Sequence, residues 1–252
     1  MRVLLTNDDG LEADGLQAAW KALKKAGHEV VAVAPDRERS ASSHSVTLRQ
    51  PLTVTEVRAP GGDLGYAVSG TPADSARLGV ALFGDPPFDL AVSGINNDLN
   101  LGFDANYSGT VGAAMEASCQ GVPAIAVSLA KVEPYDWERA GEILVDIVSK
   151  YPFWGAPPDV VLNVNIPFDI KSPDYAWVAA QIQPAPEVIA RERLDARSWS
   201  CQRTRANIPP RLDPNSDAAA FAAGRIAISP LVPVRTPLDA LERLAAAASR
   251  AR

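Results

Sequence analysis

The feature that most constrains the fold is an alternation, over the first 170 residues, of short apolar runs with amphipathic stretches. The apolar runs are rich in Val, Ile and Leu and have Gly, Pro, Asn or Asp close to their ends. They are Val3–Leu5, Val30–Ala34, Leu90–Ser93, Ile125–Leu129 and Val160–Ile166. Near-continuous apolar runs of this length are typical of strands in a parallel sheet that is covered on both faces.

The stretches between these runs have the pattern of helices. Leu16–Ala26 has apolar residues at helical spacing, and Trp137–Lys150 has one apolar stripe. A capping-box sequence at Thr71–Asp74, with proline at the first helical position, leads into Ala76–Leu82, and Gly112–Cys119 is small and apolar. This β-α-β alternation predicts an α/β fold with a doubly wound, mostly parallel sheet.

The pattern changes near residue 170. A strand is predicted over Ser172–Gln183, but Pro184–Asp217 carries five prolines and has no clear apolar period. That stretch is too long for a simple connection, so we expect an arm packed on a neighbouring subunit or a lid. A helix over Asp217–Ala223, a strand over Arg225–Ser229 and a helix over Leu238–Ala248 close the chain. We therefore expect a single α/β domain, 1–252, with a core 1–183, an irregular arm 184–216 and a C-terminal strand and helix 217–252.

Composition excludes several classes of protein. The formal net charge of −6 disfavours binding to a nucleic-acid polymer. No apolar run approaches the roughly 18 residues of a membrane span. The two cysteines, Cys119 and Cys201, are too far apart in sequence to indicate a disulfide framework or a thiolate zinc site. We expect a soluble, cytoplasmic protein whose partner is neither a nucleic-acid polymer nor a membrane.

Two adjacent acids, Asp8 and Asp9, follow the first strand, between Asn7 and the turn residue Gly10. In an open α/β sheet ligands bind beyond the carboxyl ends of the strands, so this position is a candidate site. Adjacent carboxylates repel each other unless a cation or a proton lies between them, and Mg²⁺ or Mn²⁺ prefers such oxygen ligands. The alternative is a helix N-cap beside one exposed acid.

The second strand is followed by a segment, residues 35–45, that is dense in hydroxyl groups and contains Arg39, Ser40 and His44. Hydroxyls ligate metals or bind phosphate oxygens, and arginine binds phosphate with two hydrogen bonds. His44 could donate a proton to a leaving alkoxide, but an ordinary loop histidine explains it equally well.

Further polar groups follow the strand Leu90–Ser93. Asn96 lies in a run of asparagines that offers neutral oxygen ligands or simply forms turns. Ser108, Gly109 and Thr110 come directly before a helix, where backbone amides and hydroxyls form an anion site for phosphate. Helix capping explains the two hydroxyls about as well.

These segments, in this order, closely resemble the SurE family of stationary-phase survival proteins. The resemblance implies a Rossmann-like core and a metal-dependent phosphatase that acts on nucleoside 5′- and 3′-monophosphates, in some members also on short polyphosphate. It also implies a C-terminal arm exchanged between subunits of a homodimer or homotetramer. The segments that carry it are Val3–Gly10, Ala34–Ser45, Gly70–Asp74, Ser93–Asn96, Tyr107–Val111 and, more weakly, Gly224–Leu231.

By the same resemblance, one divalent ion, Mg²⁺ or Mn²⁺, is expected on Asp8, Asp9, Ser40 and Asn96. We expect Asp8 or Asp9 to orient or deprotonate the attacking water and His44 to protonate the leaving oxygen. The candidates for binding substrate phosphate are Asn7, Arg39, Ser108, Gly109 and Thr110.

Two departures from the family pattern stand out. Asp98 replaces the glycine usual two residues after the metal asparagine, where an acid could add a ligand, repel phosphate or shift the backbone. The stretch 187–216 has no clear match. Three other classes fit the sequence less well. A phospho-receiver module needs an acceptor aspartate at a strand end, and this chain has none that is well placed. A haloacid-dehalogenase-like phosphatase needs two aspartates separated by one residue, whereas Asp8 and Asp9 are adjacent, and a dinucleotide-dependent oxidoreductase needs a glycine-rich loop. The remaining rival is a SurE-like binding protein with altered or lost turnover.

Overall fold

The computed structural model describes residues 1–58, 62–157, 159–168, 173–181, 187–195, 197–205 and 212–233. Eleven strands lie in these ranges: β1 (Arg2–Thr6), β2 (Glu29–Pro35), β3 (Val54–Arg58), β4 (Leu64–Val68), β5 (Leu90–Asn96), β6 (Ala124–Leu129), β7 (Val161–Ile166), β8 (Tyr175–Trp177), β9 (Glu187–Arg193), β10 (Trp199–Arg205) and β11 (Ile226–Leu231). The helices are α1 (Asp14–Lys25), α2 (Pro72–Phe83), α3 (Gly109–Cys119), α4 (Trp137–Trp154) and α5 (Asp217–Ala222), with a 3₁₀ helix, η1, at Gly102–Asn106.

Nine strands form one sheet in the order β3-β4-β2-β1-β5-β6-β7-β11-β8. All neighbouring pairs are parallel except β3 with β4 and β11 with β7. The predicted doubly wound, mostly parallel α/β fold is therefore confirmed.

The sheet is covered on both faces, as the apolar strands require. Leu5 and its neighbours pack with α1 and α4, whereas Leu4 and the small residues of β6 pack with α2 and α3. Because successive side chains of a strand point to opposite faces, a strand buried on both sides reads as a continuous apolar run. Both helical layers thus hold the carboxyl ends of β1, β2 and β5 at one edge of the sheet.

Two features of the fold differ from the sequence interpretation. The strands β3 and β4, at one side of the sheet, were not predicted, and the edge strand β3 has no fully buried residue and therefore no apolar period. The segment 184–216 is predicted to be irregular, but β9 and β10 pair in it as an antiparallel hairpin. Every side chain described in these two strands is exposed, so the apolar alternation of a half-buried strand is missing.

Two smaller differences concern helix bounds. The helix α3 begins at Gly109, three residues before the predicted start, so Gly109 and Thr110 form its first turn. The predicted C-terminal helix, Leu238–Ala248, lies outside the described residues. In the part of the chain that is described, no helix has the length and apolar character needed to cross a membrane.

Candidate active site

Asp8 lies directly beyond β1 and is almost fully buried, with 4% of its surface exposed. The hydroxyl of Thr110 donates a hydrogen bond to its carboxylate, and the backbone amides of Gly109 and Thr110 also face it. The carboxylate therefore lies at the N-terminus of α3, where the helix dipole stabilises negative charge. In the same region the Arg39 amide donates to the Asp8 carbonyl at 2.7 Å, which joins the two loops.

Asp9 is the second acid at this edge of the sheet. Burial, followed by the negative charges of Asp8 and Glu38, raises its pKa to about 7, against a hydrogen bond from the Asn97 amide. Burial also raises the pKa of Asp8, although the Thr110 hydroxyl and the amides at the start of α3 oppose this. Both acids thus lie where negative charge is unfavourable without a nearby cation.

Asn7 has a structural task in this loop. Its side-chain amide donates to the Gly10 carbonyl at 2.9 Å, and its side-chain oxygen accepts from the Gly10 amide at 3.1 Å. This pair of hydrogen bonds closes the turn that carries Asp8 and Asp9. The amide of Asn7 is therefore engaged within the loop itself, although the sequence interpretation made it a phosphate-binding candidate.

The Asn96 side chain is buried at the end of β5, next to β1 in the sheet. Its amide nitrogen donates to the Asp98 carbonyl at 2.6 Å, which fixes the orientation of the side-chain amide. The carboxylate of Asp98 itself accepts from the Leu99 amide at 2.8 Å, and the residue is exposed. Asp98 has a negative φ, so the loop does not need glycine at this position.

A buried polar network anchors the loop that follows Asn96. The Asn100 amide donates to the Asn165 side chain at 2.8 Å, and the Asn100 side chain donates to Ser128 at 2.8 Å. The Asn100 carbonyl accepts from Asn163 at 2.8 Å. These contacts join the loop to β6 and β7, and a buried hydrogen-bond network of this kind holds a segment in place.

Residues 40–45, which we term the serine loop, cover the N-terminus of α3. The Ser40 hydroxyl donates to Glu38 at 2.8 Å, and this leaves its lone pairs for another partner. The Ser42 hydroxyl lies so close to α3 that a Cβ on Gly109 would stand 2.6 Å from its oxygen and 2.9 Å from an Asp8 carboxylate oxygen. Ser42 was not a candidate in the sequence interpretation, because its run contains several equivalent hydroxyls.

His44 lies at the far end of the serine loop, on the side of α2 and α3. Its Nε2 is 2.8 Å from a carboxylate oxygen of Glu116, whose other oxygen accepts from Arg77 at 2.7 Å and from Gln120 at 2.9 Å. Burial acts to raise the pKa of Glu116, but hydrogen bonds from Arg77, His44 and Gln120 outweigh it and hold that pKa below its ordinary value. Sequence reasoning missed Glu116, although a lone acid in a helix of small apolar residues was an available signal.

The other two candidates have clear local roles. Ser108 is the N-cap of α3, and its hydroxyl accepts from the Val111 amide at 3.1 Å. The Arg39 guanidinium donates to the Ser69 carbonyl at 2.9 Å and lies 3.4 Å from Asp36, so its charge stays on the side of β4. The structure thus groups the acids, Asn96, the serine loop and the start of α3, with Arg39 at the border.

Comparison with known proteins decides the family. The profile described as "Survival protein SurE" matches residues 3–186. The chain belongs to the SurE family. The resemblance seen in the sequence motifs is therefore confirmed over the first three quarters of the chain.

SurE proteins from several bacteria resemble the chain over nearly its whole length. "5′-nucleotidase SurE" of Syntrophus aciditrophicus is 38% identical over 99% of the chain and 95% of that protein. "5′-nucleotidase SurE" of Solidesulfovibrio magneticus is 40% identical over 92% of the chain and 91% of that protein. The crystal structure of the SurE protein from Aquifex aeolicus matches with a TM-score of 0.83 and 32% identity, over 96% of the chain and 98% of that structure.

The donor set of this SurE site fits a hard divalent cation. Two carboxylates with raised pKa values, an oriented amide at Asn96 and a hydroxyl at Ser40 offer only oxygen atoms, which Mg²⁺ and Mn²⁺ prefer. Among the described residues no group of three or more His, Cys, Asp or Glu side chains is placed to hold a metal. That finding is compatible with this set, because only two of its four members are of those types.

Two cavities lie near or behind the SurE site. One of about 350 Å³ borders Asp9 and is lined also by Leu11, Asp36, Arg37 and Val57, which is within the size range of ligand pockets. The other, of about 560 Å³, lies between α1 and α4 and contains none of the candidate residues. The candidate residues therefore border the smaller of these two cavities.

Proposed function

We propose that this SurE-family chain is a metal-dependent phosphatase that hydrolyses nucleoside 5′-monophosphates to nucleoside and phosphate. The observation that carries the proposal is the pair of acids, buried Asp8 and half-buried Asp9, beside the N-terminus of α3 and the oriented amide of Asn96. The names of its relatives support the same reaction. We infer that one divalent ion, Mg²⁺ or Mn²⁺, is held by Asp8, Asp9, Ser40 and Asn96.

Hydrolysis of a phosphate monoester needs in-line positioning and neutralisation of charge on the phosphoryl oxygens. The bound cation supplies Lewis-acid polarisation of a phosphate oxygen. Asp9 is the less buried acid, so we assign it to orient and deprotonate the attacking water, while Asp8 stays tied to Thr110. Ser108 and the backbone at Gly109 keep the start of α3 directed at the phosphate position.

His44 is the proposed acid for the leaving ribose oxygen. Because Nε2 donates to Glu116, Nδ1 is the ring nitrogen that would serve the leaving group, and it must carry a second ring proton to do so. Activity on 3′-monophosphates and on short polyphosphate belongs to this proposal, as does a homodimer or homotetramer formed through an exchanged arm. The cytoplasmic location stays a prediction.

The test is phosphate release from a panel of 5′- and 3′-monophosphates and short polyphosphate, with Mn²⁺, with Mg²⁺ and with EDTA. We expect release from 5′-monophosphates that requires metal, and a loss of most turnover in Asp8→Asn and Asp9→Asn. Asp174→Asn is the matched control, because Asp174 is exposed in an ion pair with Arg225 away from the site. Light scattering after size-exclusion chromatography measures the oligomeric state, and a monomer would refute the exchanged arm.

Full activity in both acid variants would refute the assignment of the site. Metal binding by the wild-type protein without phosphate release from any substrate would favour the rival function, a SurE-like protein that binds metal and nucleotide without turnover. That rival is favoured by Asp98, which adds a negative charge at the rim of a phosphate site.

A further inference from the structure

We propose that Glu116 is a positioning residue of this site, which acts through His44 to hold the serine loop against the metal-binding acids. This inference rests on the proposed function, since the serine loop supplies Ser40 as a metal ligand. Glu116 touches neither the acids nor the proposed ligands in the contacts described above. Glu116 lies on α3, so its influence on the site passes through that helix or through the serine loop, and of these two only the loop carries a proposed metal ligand.

The contacts of Glu116 join three elements at one carboxylate. The carboxylate is 3% exposed, in the middle of α3, and accepts from Arg77 on α2 and from His44 in the serine loop. A buried carboxylate costs several kcal/mol of desolvation unless it is paired and hydrogen-bonded. Arg77 supplies the charge partner, so Glu116 remains an acceptor for the His44 ring.

The serine loop needs such an external restraint because of its backbone. Ala41 has a φ of 58° and Ser43 a φ of 55°, and both lie in the left-handed region that residues other than glycine rarely adopt. Strained residues of this kind persist only where the surrounding structure fixes them. Two restraints lie at Ser43, whose amide donates to the Tyr107 carbonyl at 2.9 Å and whose hydroxyl donates to the Asn106 carbonyl at 2.7 Å.

The restraint at Glu116 differs from these two, because it is charged and fixes a side chain. A carboxylate next to Nε2 favours the form of His44 that carries a proton there, and so sets the tautomer and the plane of the ring. The ring is then fixed against α3 instead of rotating in solvent. Ser42 and Ser40, which lie two and four residues earlier in the chain, are thereby held over the start of the same helix. Residues that orient metal ligands in this way affect metal affinity without touching the metal.

The experiment measures Mn²⁺ affinity of the full-length protein by isothermal titration calorimetry, together with kcat, KM and the thermal midpoint. Four variants are compared with the wild type: Glu116→Gln, His44→Ala, their combination, and His44→Gln. The glutamine at position 44 keeps an N–H donor close to the place of Nε2 but cannot transfer a proton. Glu142→Gln is the matched control, because Glu142 pairs with Arg139 on the surface of α4.

We expect Mn²⁺ affinity to fall about 10- to 100-fold in Glu116→Gln and in His44→Ala, the usual effect of losing a group that orients metal ligands. The double variant should be no weaker than the single variants, since both changes break the same contact. His44→Gln should restore affinity to within about threefold of the wild type, because its hydrogen bond to Glu116 is kept. A role limited to stability would lower the thermal midpoint in Glu116→Gln without this rescue pattern.

Unchanged Mn²⁺ affinity in both Glu116→Gln and His44→Ala would overturn the inference and leave the proposed function intact. Additive losses in the double variant would also overturn it, because the two residues would then act separately. A wild-type protein that neither binds Mn²⁺ nor releases phosphate would instead refute the proposed function, and the inference with it.

Discussion

Gly109 is the position at which one methyl group should disable the site. It is the first residue of α3 and faces both Asp8 and Ser42 of the serine loop. A Cβ built at Gly109 would stand 2.6 Å from the Ser42 hydroxyl oxygen, 2.7 Å from the Asp8 Cβ and 2.9 Å from an Asp8 carboxylate oxygen. Gly109→Ala therefore forces the two groups that flank the helix start to move apart.

The size of this effect follows from the distances. Carbon contacts are optimal at about 3.5–4.0 Å, so the Asp8 Cβ, 2.7 Å from the added methyl group, must move by roughly 0.8–1.3 Å. A displacement of about 1 Å at reacting groups costs about 100-fold in rate. Overpacking costs about 1–3 kcal/mol, while alanine is about 1 kcal/mol better than glycine in a helix, so the net loss of stability should be at most about 2 kcal/mol.

The assay is kcat/KM for phosphate release at saturating metal, together with the free energy of unfolding in urea. Gly141→Ala is the matched control, because a Cβ there would stand 2.9 Å from the Cβ of Ala22, between α4 and α1. We expect a similar small loss of stability in both variants and a large loss of activity only in Gly109→Ala. Wild-type kcat/KM in a folded Gly109→Ala protein would refute the reasoning.

Three further predictions concern stability. Mn²⁺ at about 100 times its dissociation constant should stabilise the wild type by about 2.7 kcal/mol in thermal unfolding and leave Asp8→Asn unchanged. Burial acts to raise the pKa of Asp74, but hydrogen bonds from Thr71 and Thr47 outweigh it and hold that pKa below its ordinary 3.8. The stability that ionised Asp74 contributes is therefore complete above pH 3.8 and is lost as the pH falls through the lowered pKa. Asp74→Asn should therefore lose about 1–2 kcal/mol at pH 7 and show a shallower decline of stability below pH 3.8, measured by urea unfolding. Leu144→Ala, on the buried face of α4, should cost about 2–5 kcal/mol in the same assay but leave kcat of the folded fraction unchanged.

The central strands could be predicted because they are buried on both faces, so that their consecutive residues are mostly apolar. In β6 all six side chains are buried, and the run Ile125–Leu129 shows this directly. The strand β3 and the hairpin of β9 and β10 could not be predicted in this way. Their side chains are largely exposed, so tertiary pairing rather than an apolar pattern decides their conformation.

The candidate site could be predicted where its polar residues lie at the ends of strands. Asp8 follows β1 and Asn96 ends the neighbouring strand β5, and the rule for open α/β sheets brings them to one edge. The contact between His44 and Glu116 spans 72 residues and depends on how the serine loop packs on α3. A single sequence contains no periodicity that encodes such a contact, so Glu116 emerged only from the structure.

The replacement of the family's usual glycine by Asp98 has a backbone effect and a side-chain effect, which can be considered separately. A glycine is required where φ is positive or where the backbone is approached closely. Asp98 has a negative φ and its backbone carbonyl orients the Asn96 amide, so the orientation of the proposed metal ligand does not require a positive φ at this position. What the aspartate adds is an exposed carboxylate, bound to the Leu99 amide, at the rim of a site for an anion. Because like charges repel, its influence should fall on the binding of phosphate substrates rather than on the binding of the metal.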